Sequence, residues 1–304
     1  MGIKVINPGL QTTVQDSGRR LSGHLGISNC GAADNYSFKL ANLIVGNTPT
    51  KAALEMTIVG GVYQFDENTD ICLSGSDFSA RINNKVLPFN KKIHIKKKDV
   101  LEIGKTKDGA RCYLAIRGGI DIKHFLGSAS THLTTKTGGL DGRSLKKGDL
   151  LKIGKSKINP NNIISLDLKY STKRSVLRIT EGLQKDWFSD FNWNTLLNSS
   201  FKVSKKYSRM GIKLDGPSIA PTNKKEMITE GIALGAVQIP NNGKPIISFV
   251  DHQTTGGYPK IANVIAADLH KVGQLKPGDK FIFKLMSLDQ AEKLYFQQES
   301  SLKI

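Results

Sequence analysis

Cysteine is scarce in this sequence, and the cysteines that it has follow no pattern. Cys30, Cys72 and Cys112 are three in number, lie far apart and form no C-x-x-C pair. The six histidines are equally dispersed. Because disulfide frameworks and zinc sites both need paired or clustered ligands, the sequence predicts neither kind of site.

Long apolar runs and processing signals are also missing. No stretch approaches the roughly 18 apolar residues that a membrane helix needs. Residues 1–5 run directly into a strand-like segment, without the apolar region of a signal peptide. We therefore expect a cytoplasmic protein that has no membrane partner.

Common catalytic signatures are absent as well. The sequence contains no G-x-x-x-x-G-K-[ST] phosphate loop, no G-x-S-x-G elbow and no H-E-x-x-H motif. Its Gly-rich stretches do not match G-x-G-x-x-G between a strand and a helix. No serine or cysteine nucleophile can therefore be selected from spacing alone.

Arginine is rare, although the chain is strongly basic. There are 44 Lys and Arg against 26 Asp and Glu, a net charge of +18, and only nine of the 44 are Arg. Lysine pairs are scattered at turns instead of being gathered with aromatic residues or arginines in one groove, as nucleic-acid binding would favour. We interpret them as a solvated surface and expect no nucleic-acid partner; docking to an acidic protein stays as the alternative.

Short apolar runs broken by Gly, Asn and Asp predict a mainly β fold with a few helices. The length of 304 residues favours two domains. A polar turn that leads into a strand recurs at 96–103, 145–153 and 275–283, which suggests two related β-barrel domains, although such units are common in any β protein. We predict domains at 1–155 and 175–304, the second with a terminal helix, and a polar linker at 156–174.

Four helices are expected from their caps and apolar spacing. One starts after Asp34 and ends at Gly46, and a second covers 184–197. A third begins at Pro259 and ends at Gly273, and Ser287 with Gln290 forms a capping box for the last.

Three loops have more polar and Gly residues than folding requires: 12–20 with 31–34, 126–131 with 138–143, and 251–259. The third follows a continuous apolar run at 245–250, which is typical of a strand buried on both faces. If a helix begins at Pro259, its free N–H groups would suit a carboxylate or phosphate. His252 lies in this loop, with turn packing as its alternative role.

The sequence at these loops resembles the family named for allophanate-hydrolase subunit 2. The resemblance covers nearly all of residues 2–290 and is carried, in order, by Thr12–Arg19, Leu40–Asn47, Leu54–Thr57, Tyr113–Gly119, Gly127–Thr131, Gly142-Arg143, Lys147–Asp149, Ser208–Gly211, Glu230-Gly231, Gly235–Pro240 and Thr254–Pro259. Two departures from the family pattern, at Ala33 and around Tyr207, lie near the expected site loops.

The resemblance implies two cyclophilin-like β-barrel domains and work within a complex. The family includes the C component of 5-oxoprolinase, and we expect an ATP-dependent lactam hydrolase that converts 5-oxo-L-proline to L-glutamate. Its partners would be a lactam-hydrolase-like protein (the A component) and a KipI-like protein (the B component), with ATP and Mg bound at the level of the complex. This chain alone would be inactive.

Two alternatives follow from other members of the same family. One is the carboxyltransferase component of a biotin-dependent urea carboxylase or allophanate-hydrolase-type system, with biotin carboxylase and carrier proteins as partners. The chain has no A-M-K-M-like segment, so it would carry no covalently attached biotin. The other is a non-catalytic KipA-like regulator that binds a kinase inhibitor.

The loops and the resemblance together suggest a site that binds an anionic amide, without a metal. Arg19 and Arg209 would bind its carboxylate or a phosphate, because a guanidinium group can bind either in bidentate fashion. The amide would be held by Gln15, Gln238, Thr254 and Thr255, in a loop continued by Gly256, Gly257 and Tyr258. The candidate catalytic carboxylates, which would orient these donors or act as general base, are Asp16, Asp34, Glu230 and Asp251.

Overall fold

The structure is a computed structural model that describes residues 2–19, 21–156, 173–222 and 226–302. The chain divides into two compact units. Within the described residues, unit 1 contains 2–19 and 30–156, and unit 2 contains 21–29, 173–222 and 226–302. The linker predicted at 156–174 lies almost entirely outside the described residues.

Unit 1 is built from short strands. They are Gly2–Asn7 (β1), Gln11–Gln15 (β2), Ala53–Thr57 (β3), Val62–Phe65 (β4), Thr69–Gly75 (β5), Arg81–Ile82 (β6), Lys85–Val86 (β7), Ile93–Ile95 (β8), Val100–Glu102 (β9), Arg111–Ile116 (β10), Ile120–Asp121 (β11) and Leu150–Ile153 (β12).

These strands form two antiparallel sheets around one core. One sheet has the order β11-β12-β1-β4-β9-β6-β7 and the other β2-β3-β10-β5-β8. β10 is buried along its whole length because it lies between β3 and β5 and under α1 (Asn35–Ile44). The core contains Phe65 and Leu101 from the first sheet and Leu54, Leu73 and Leu114 from the second.

Unit 2 contains a closed barrel. Its strands are Val176–Glu181 (β13), Phe201–Val203 (β14), Gly211–Asp215 (β15), Glu230–Gly231 (β16), Ala236–Gln238 (β17), Ile246–Ser248 (β18), Thr255–Gly256 (β19), Lys260–Val264 (β20) and Lys280–Leu285 (β21). The barrel runs β13-β20-β17-β18-β15-β14-β21, and β16 pairs with β19 as a separate ribbon. The prediction of a mainly β fold with a few helices is confirmed.

The helix predictions had mixed outcomes. α1 begins after Asp34, whose carboxylate accepts a bond from the Ser37 N–H at 2.9 Å, as expected. The terminal helix, Leu288–Ser300 (α4), has the capping box of Ser287 and Gln290. The segment predicted as one helix at 184–197 is instead a 3₁₀ turn, Lys185–Trp187, followed by Asp190–Asn198 (α2).

The helix predicted from Pro259 is wrong. Residues Lys260–Val264 form the barrel strand β20, and the helical part is a 3₁₀ turn, Ala266–Asp268, followed by Leu269–Gly273 (α3). The strand pairs with β17 and β13, and four of its five residues are buried. No helix N-terminus therefore opens after the 251–259 loop to bind an anion.

The recurring turn-and-strand unit has the same hydrogen bonds at all three positions. Asp99, Asp149 and Asp279 each accept a bond from the backbone N–H three residues earlier, at 2.9, 2.7 and 3.1 Å. Two of these turns lie in unit 1 and one in unit 2.

Within the described part of the chain, every helix is too short or too polar to cross a bilayer.

Candidate functional site

The first two polar loops come together in unit 1 at Asp16. Its carboxylate accepts bonds from the hydroxyls of Ser128 and Ser130, at 2.6 and 2.5 Å, and from the backbone N–H groups of Ala129 and Gly18, at 2.7 and 2.8 Å. With four donors and only 6% exposure, Asp16 is a fixed anchor for the 128–130 segment. We call Gln15, Asp16, Arg19 and residues 128–131 the unit-1 cluster.

Arg19 is almost fully buried, at 1% exposure, and most of its hydrogen-bonding capacity is unused. Its Nη2 donates to the carbonyl oxygen of Ser130, whereas Nε and Nη1 have no partner among the residues that the structure describes. Its Cζ lies 5.3 Å from the ring centroid of Phe125. Gly138 leaves room for the guanidinium, since a Cβ there would collide with Nη2.

Gln15 is the second group in this cluster with unmet bonding capacity. Its Nε2 donates to Thr13 Oγ1 at 3.0 Å and to the Thr131 carbonyl at 3.1 Å, which fixes the amide plane. Its Oε1 is buried and has no partner within the described part of the chain. The cluster therefore offers hydrogen-bond donors from the guanidinium group of Arg19 and one acceptor from the amide group of Gln15. The two side chains are held in place by their bonds to the carbonyl groups of Ser130 and Thr131.

Asp34 lies in unit 1 with its carboxylate already bonded. It accepts from the Ser37 N–H at 2.9 Å and from the Ser37 hydroxyl at 2.6 Å. Its own N–H donates to Tyr113 Oη at 2.7 Å, and that hydroxyl donates to Glu55 Oε2 at 2.7 Å. Burial, with the charge of Glu55, raises the pKa of Tyr113 well above its ordinary value, so the phenol stays a neutral donor.

In unit 2, Arg209 and Asp251 form a buried bidentate pair. Arg209 Nε and Nη2 donate to the two carboxylate oxygens of Asp251 at 2.8 and 3.0 Å. The two residues are 9% and 3% exposed. The bidentate edge of Arg209 that we expected to bind a substrate carboxylate is therefore occupied by Asp251. Ser28 donates to the His252 carbonyl at 2.6 Å and so holds the start of this loop.

Gln238 repeats the arrangement of Gln15 within the barrel. Its Nε2 donates to Ser248 Oγ at 2.7 Å, and its buried Oε1 has no partner in the described ranges of unit 2. Gly256 is adjacent, because a Cβ there would lie 3.5 Å from Gln238 Oε1 and 2.6 Å from Gln253 Nε2.

The remaining residues of the third loop are more exposed. Thr255 starts β19, and the carbonyl of Thr254 accepts a bond from Ile232 at 3.0 Å. Gly257 is exposed, and Tyr258 is 42% exposed.

Glu230 is paired with a buried lysine. Lys260 Nζ, in a residue 3% exposed, lies 2.6 Å from Glu230 Oε1, and Gln184 Nε2 donates to the same oxygen at 2.9 Å. The hydrogen bond from Lys260 holds the pKa of Glu230 below its ordinary value. Glu230 is therefore an ionised partner of Lys260 at neutral pH.

The sequence analysis did not identify several polar residues of these clusters as parts of a site. Ser128 and Ser130 lie in a loop that we had singled out, but nothing marked them as hydrogen-bond donors to Asp16. Glu55 had a usable signal, because a single carboxylate inside the run Ala52–Met56 indicates a buried charge that needs partners. Lys260 was assigned to a helix, so its position in a buried strand and its pairing with Glu230 were not recognised.

The cysteines offer no obvious nucleophile. Burial raises the pKa of Cys72 to about 12 and that of Cys112 well above its ordinary value, so both thiols stay protonated. Cys30 is buried, at 7% exposure.

Comparison with known proteins places this chain among carboxyltransferase domains. The family model for the carboxyltransferase domain, subdomains A and B, matches residues 25–285. The C subunit of 5-oxoprolinase from Escherichia coli (strain K12) is 36% identical over 302 residues, covering 97% of each chain. The Haemophilus influenzae protein of the same name is 31% identical, covering 98% of this chain and 95% of that one.

A solved structure has the same fold. The urea amidolyase of K. lactis matches 99% of this chain with a TM-score of 0.93 and 32% identity. The match covers only 20% of that larger chain.

Proposed function

Because the chain belongs to the family of the carboxyltransferase domain, subdomains A and B, we propose that it is the C component of an ATP-dependent 5-oxoprolinase. In this role it opens the lactam ring of 5-oxo-L-proline to L-glutamate together with a lactam-hydrolase-like partner and a KipI-like partner. It is inactive alone, and the complex is cytoplasmic.

One observation carries the proposal: the sequence match to the 5-oxoprolinase component covers nearly all of both proteins. The match to the E. coli 5-oxoprolinase component covers 97% of this chain and 97% of that protein, at 36% identity. The urea amidolyases resemble this chain over only about a fifth of their length, such as 18% for the Lachancea kluyveri protein. The 5-oxoprolinase components therefore correspond to this chain as a whole.

The unit-1 cluster supports binding of an anionic amide. We assign Arg19 to an anionic group of the substrate, because its Nε and Nη1 are buried and no described residue accepts a bond from them. We assign Gln15 to the amide, since Oε1 is an acceptor fixed in orientation by the bonds of Nε2. Preorganised groups of this kind stabilise charge that develops during the reaction without reorganising.

In unit 2, Gln238 and the 254–258 loop are assigned to the amide as well, and Arg209 acts with Asp251 to shape the loop. We assign orienting roles to the four carboxylates, because each already accepts hydrogen bonds from protein donors. The pairs are Asp16 with Ser128 and Ser130, Asp34 with Ser37, Glu230 with Lys260, and Asp251 with Arg209.

ATP is proposed to act elsewhere in the complex. The sequence has no phosphate loop. The anion-binding helix terminus expected after residue 259 is not formed, because that segment is the strand β20. We therefore place nucleotide binding, with Mg, on a partner protein.

An omission assay tests the proposal. The chain is combined with the purified lactam-hydrolase-like and KipI-like proteins, ATP and 5-oxo-L-proline, and glutamate and ADP are measured. Each component is then left out in turn. Glutamate should form only in the full mixture; full activity without this chain would refute the assignment.

Single substitutions test the assigned residues in the same assay. Arg19→Ala and Gln15→Ala should reduce kcat/KM, whereas the exposed Lys91→Ala should not. Unchanged activity in both Arg19→Ala and Gln15→Ala would remove unit 1 from the site.

A second candidate function is the carboxyltransferase step of a biotin-dependent urea carboxylase. The TM-score of 0.93 to the K. lactis urea amidolyase favours it. Biotin would then arrive on a carrier protein, with biotin carboxylase as a further partner. Transfer of a carboxyl group from carboxybiotin to urea by this chain would support it, and partner binding without turnover of any amide would instead indicate a KipA-like regulator.

A further inference from the structure

The unit-1 cluster contains a positive charge that no carboxylate of the described residues neutralises. Arg19 is 1% exposed, and among the described residues no carboxylate lies within ion-pair distance of it. A buried guanidinium without a counterion costs several kcal/mol, and buried charges in proteins are normally paired. Asp16, the carboxylate nearest in sequence, is taken by four other donors.

The amide oxygen of Gln15, in the same cluster, also has no donor among the described residues. Gln15 Oε1 is buried without a donor, while Nε2 is held by Thr13 and Thr131. The Gln15 bond to Thr131 and the Arg19 bond to Ser130 use carbonyl groups of consecutive residues. Both side chains are therefore held by the same short segment of unit 1.

We propose that Arg19 and Gln15 form a selectivity site for a lactam acid, a molecule with a carboxylate on the carbon that bears an amide N–H. The carboxylate accepts a hydrogen bond from Nη1 of Arg19, and the N–H donates to Oε1 of Gln15. This assignment rests on the proposed function and adds that unit 1 of this chain, and not a partner protein, rejects lactams that lack the acid group.

A carboxylate fits this pair of residues better than a phosphate does. The phosphate chain of ATP would satisfy Arg19, but it has no N–H next to the anionic group and leaves Gln15 Oε1 unpaired. A neutral lactam has the N–H and leaves the guanidinium unpaired. Leaving a buried charged group unpaired is the larger cost, so the acid group is the stronger determinant.

The residues around Arg19 accommodate and cover its guanidinium group. Gly138 allows the guanidinium to lie close to the backbone, because any Cβ there would collide with Nη2. Phe125 covers one face at 5.3 Å and is itself 38% exposed, so this face of the guanidinium group lies towards the surface of unit 1.

Calorimetric titration of the full chain with four probes tests the proposal without any variant. The probes are 5-oxo-L-proline, 2-pyrrolidinone (no carboxylate), 5-oxotetrahydrofuran-2-carboxylate (no N–H) and inorganic phosphate. We expect 5-oxo-L-proline to bind best and 2-pyrrolidinone to bind roughly tenfold to a hundredfold more weakly, with the lactone acid between them. Equal affinity for 2-pyrrolidinone, tighter binding of phosphate, or no binding of 5-oxo-L-proline would overturn the proposal.

Variants then identify the residues. Arg19→Gln should remove the preference for the acid and leave 2-pyrrolidinone binding unchanged; Arg19→Lys should keep part of it. Gln15→Glu should abolish binding of both acids, because the new carboxylate would pair with the guanidinium group of Arg19. Gln11→Glu, on the same strand, is the matched control and should bind as the wild type does. Unchanged acid preference in a folded Arg19→Gln protein would exclude this residue.

The outcome is separable from that of the proposed function. If the complete complex hydrolyses 5-oxo-L-proline but this chain does not distinguish the four probes, the selectivity site is wrong and the function stands. If the chain selects the lactam acid but no mixture of the component proteins produces glutamate, the function fails and the site stands.

Discussion

The Arg209–Asp251 pair illustrates how a buried charge depends on its partner. Both side chains are at least nine-tenths buried, and two hydrogen bonds, at 2.8 and 3.0 Å, join them. Such a pair is weak evidence for net stability, yet removing one member leaves the other charge buried and unpaired.

We expect Asp251→Ala to destabilise unit 2 by about 3–5 kcal/mol, on the order of 10 °C in Tm. Thermal unfolding followed by circular dichroism measures this. Asp186→Ala, at an exposed aspartate of the same unit, is the control and should change Tm little. The double variant Arg209→Met/Asp251→Leu should recover much of the loss; a double variant as unstable as Asp251→Ala would contradict the explanation.

Asp268 combines complete burial with a lowered pKa. Burial pushes its pKa up, but the bonds from Arg178, at 2.5 to 3.0 Å, and from Lys271, at 2.9 Å, together outweigh it. A carboxylate whose pKa is lower in the folded than in the unfolded state stabilises the fold above its unfolded pKa of about 3.9. That contribution is lost as the pH falls through the folded pKa.

The Tm difference between wild type and Asp268→Asn should therefore be constant near neutral pH and should shrink below about pH 4. Melting curves from pH 7 downwards measure it. The exposed Asp289→Asn should show no comparable pH-dependent difference. A difference that grows on acidification would reverse the sign and refute the account.

At the scale of elements, the three turns closed by Asp99, Asp149 and Asp279 share one backbone geometry. The residue before each aspartate has a positive φ: +74° at Lys98, +93° at Gly148 and +95° at Gly278. Glycine adopts this conformation freely, whereas a lysine is strained there by roughly 1–2 kcal/mol.

Lys98→Gly should therefore stabilise unit 1, by about 0.5–1 kcal/mol after the greater entropy of glycine in the unfolded chain is subtracted. Gly148→Ala should destabilise it by a similar amount or more. Urea-induced unfolding of both variants tests the pair. Lys97→Gly, one residue earlier, is the control and should not stabilise; a loss of stability in Lys98→Gly would contradict the strain argument.

Local signals predicted elements well only where the chain does not depend on distant contacts. The caps of α1 and α4 and the three aspartate turns are short-range hydrogen bonds, so residue types a few positions apart specify them. β20 was mistaken for a helix because Pro259 suits a first turn and the apolar residues at 261, 265, 269 and 272 have helical spacing. The segment is instead a strand buried on both faces that contains Lys260. Its pairing with Glu230, 30 positions away, is what makes that lysine acceptable inside.

The same limit applies to the candidate site. The sequence analysis identified Gln15, Asp16 and Arg19 as polar residues in a candidate functional loop. It did not indicate that their partners Ser128, Ser130 and Thr131 lie more than 100 positions later, because the packing of the sheets sets that contact. Likewise, the sequence selected both arginines for the same role, and only the structure distinguishes the paired Arg209 from the unpaired Arg19.

At the scale of the whole molecule, the charge of +18 is the feature most easily mistaken for a function. Lys91, Lys92, Lys146 and Lys147 in unit 1 and Lys205 in unit 2 are all exposed, and several of them lie at turns. Scattered lysines attract any polyanion through counterion release alone, so such binding weakens steeply with salt and carries no sequence preference.

We therefore expect this protein to bind duplex DNA at 50 mM salt, with the affinity falling by orders of magnitude by about 200 mM and no difference between sequences. Fluorescence anisotropy with two unrelated duplexes at stepped KCl measures this. In the same salt series, binding of 5-oxo-L-proline should weaken far less, because the charge of Arg19 is buried and screened little by ions. DNA binding that stays tight above physiological salt, or that prefers one duplex, would contradict a solvated lysine surface and revive the nucleic-acid alternative.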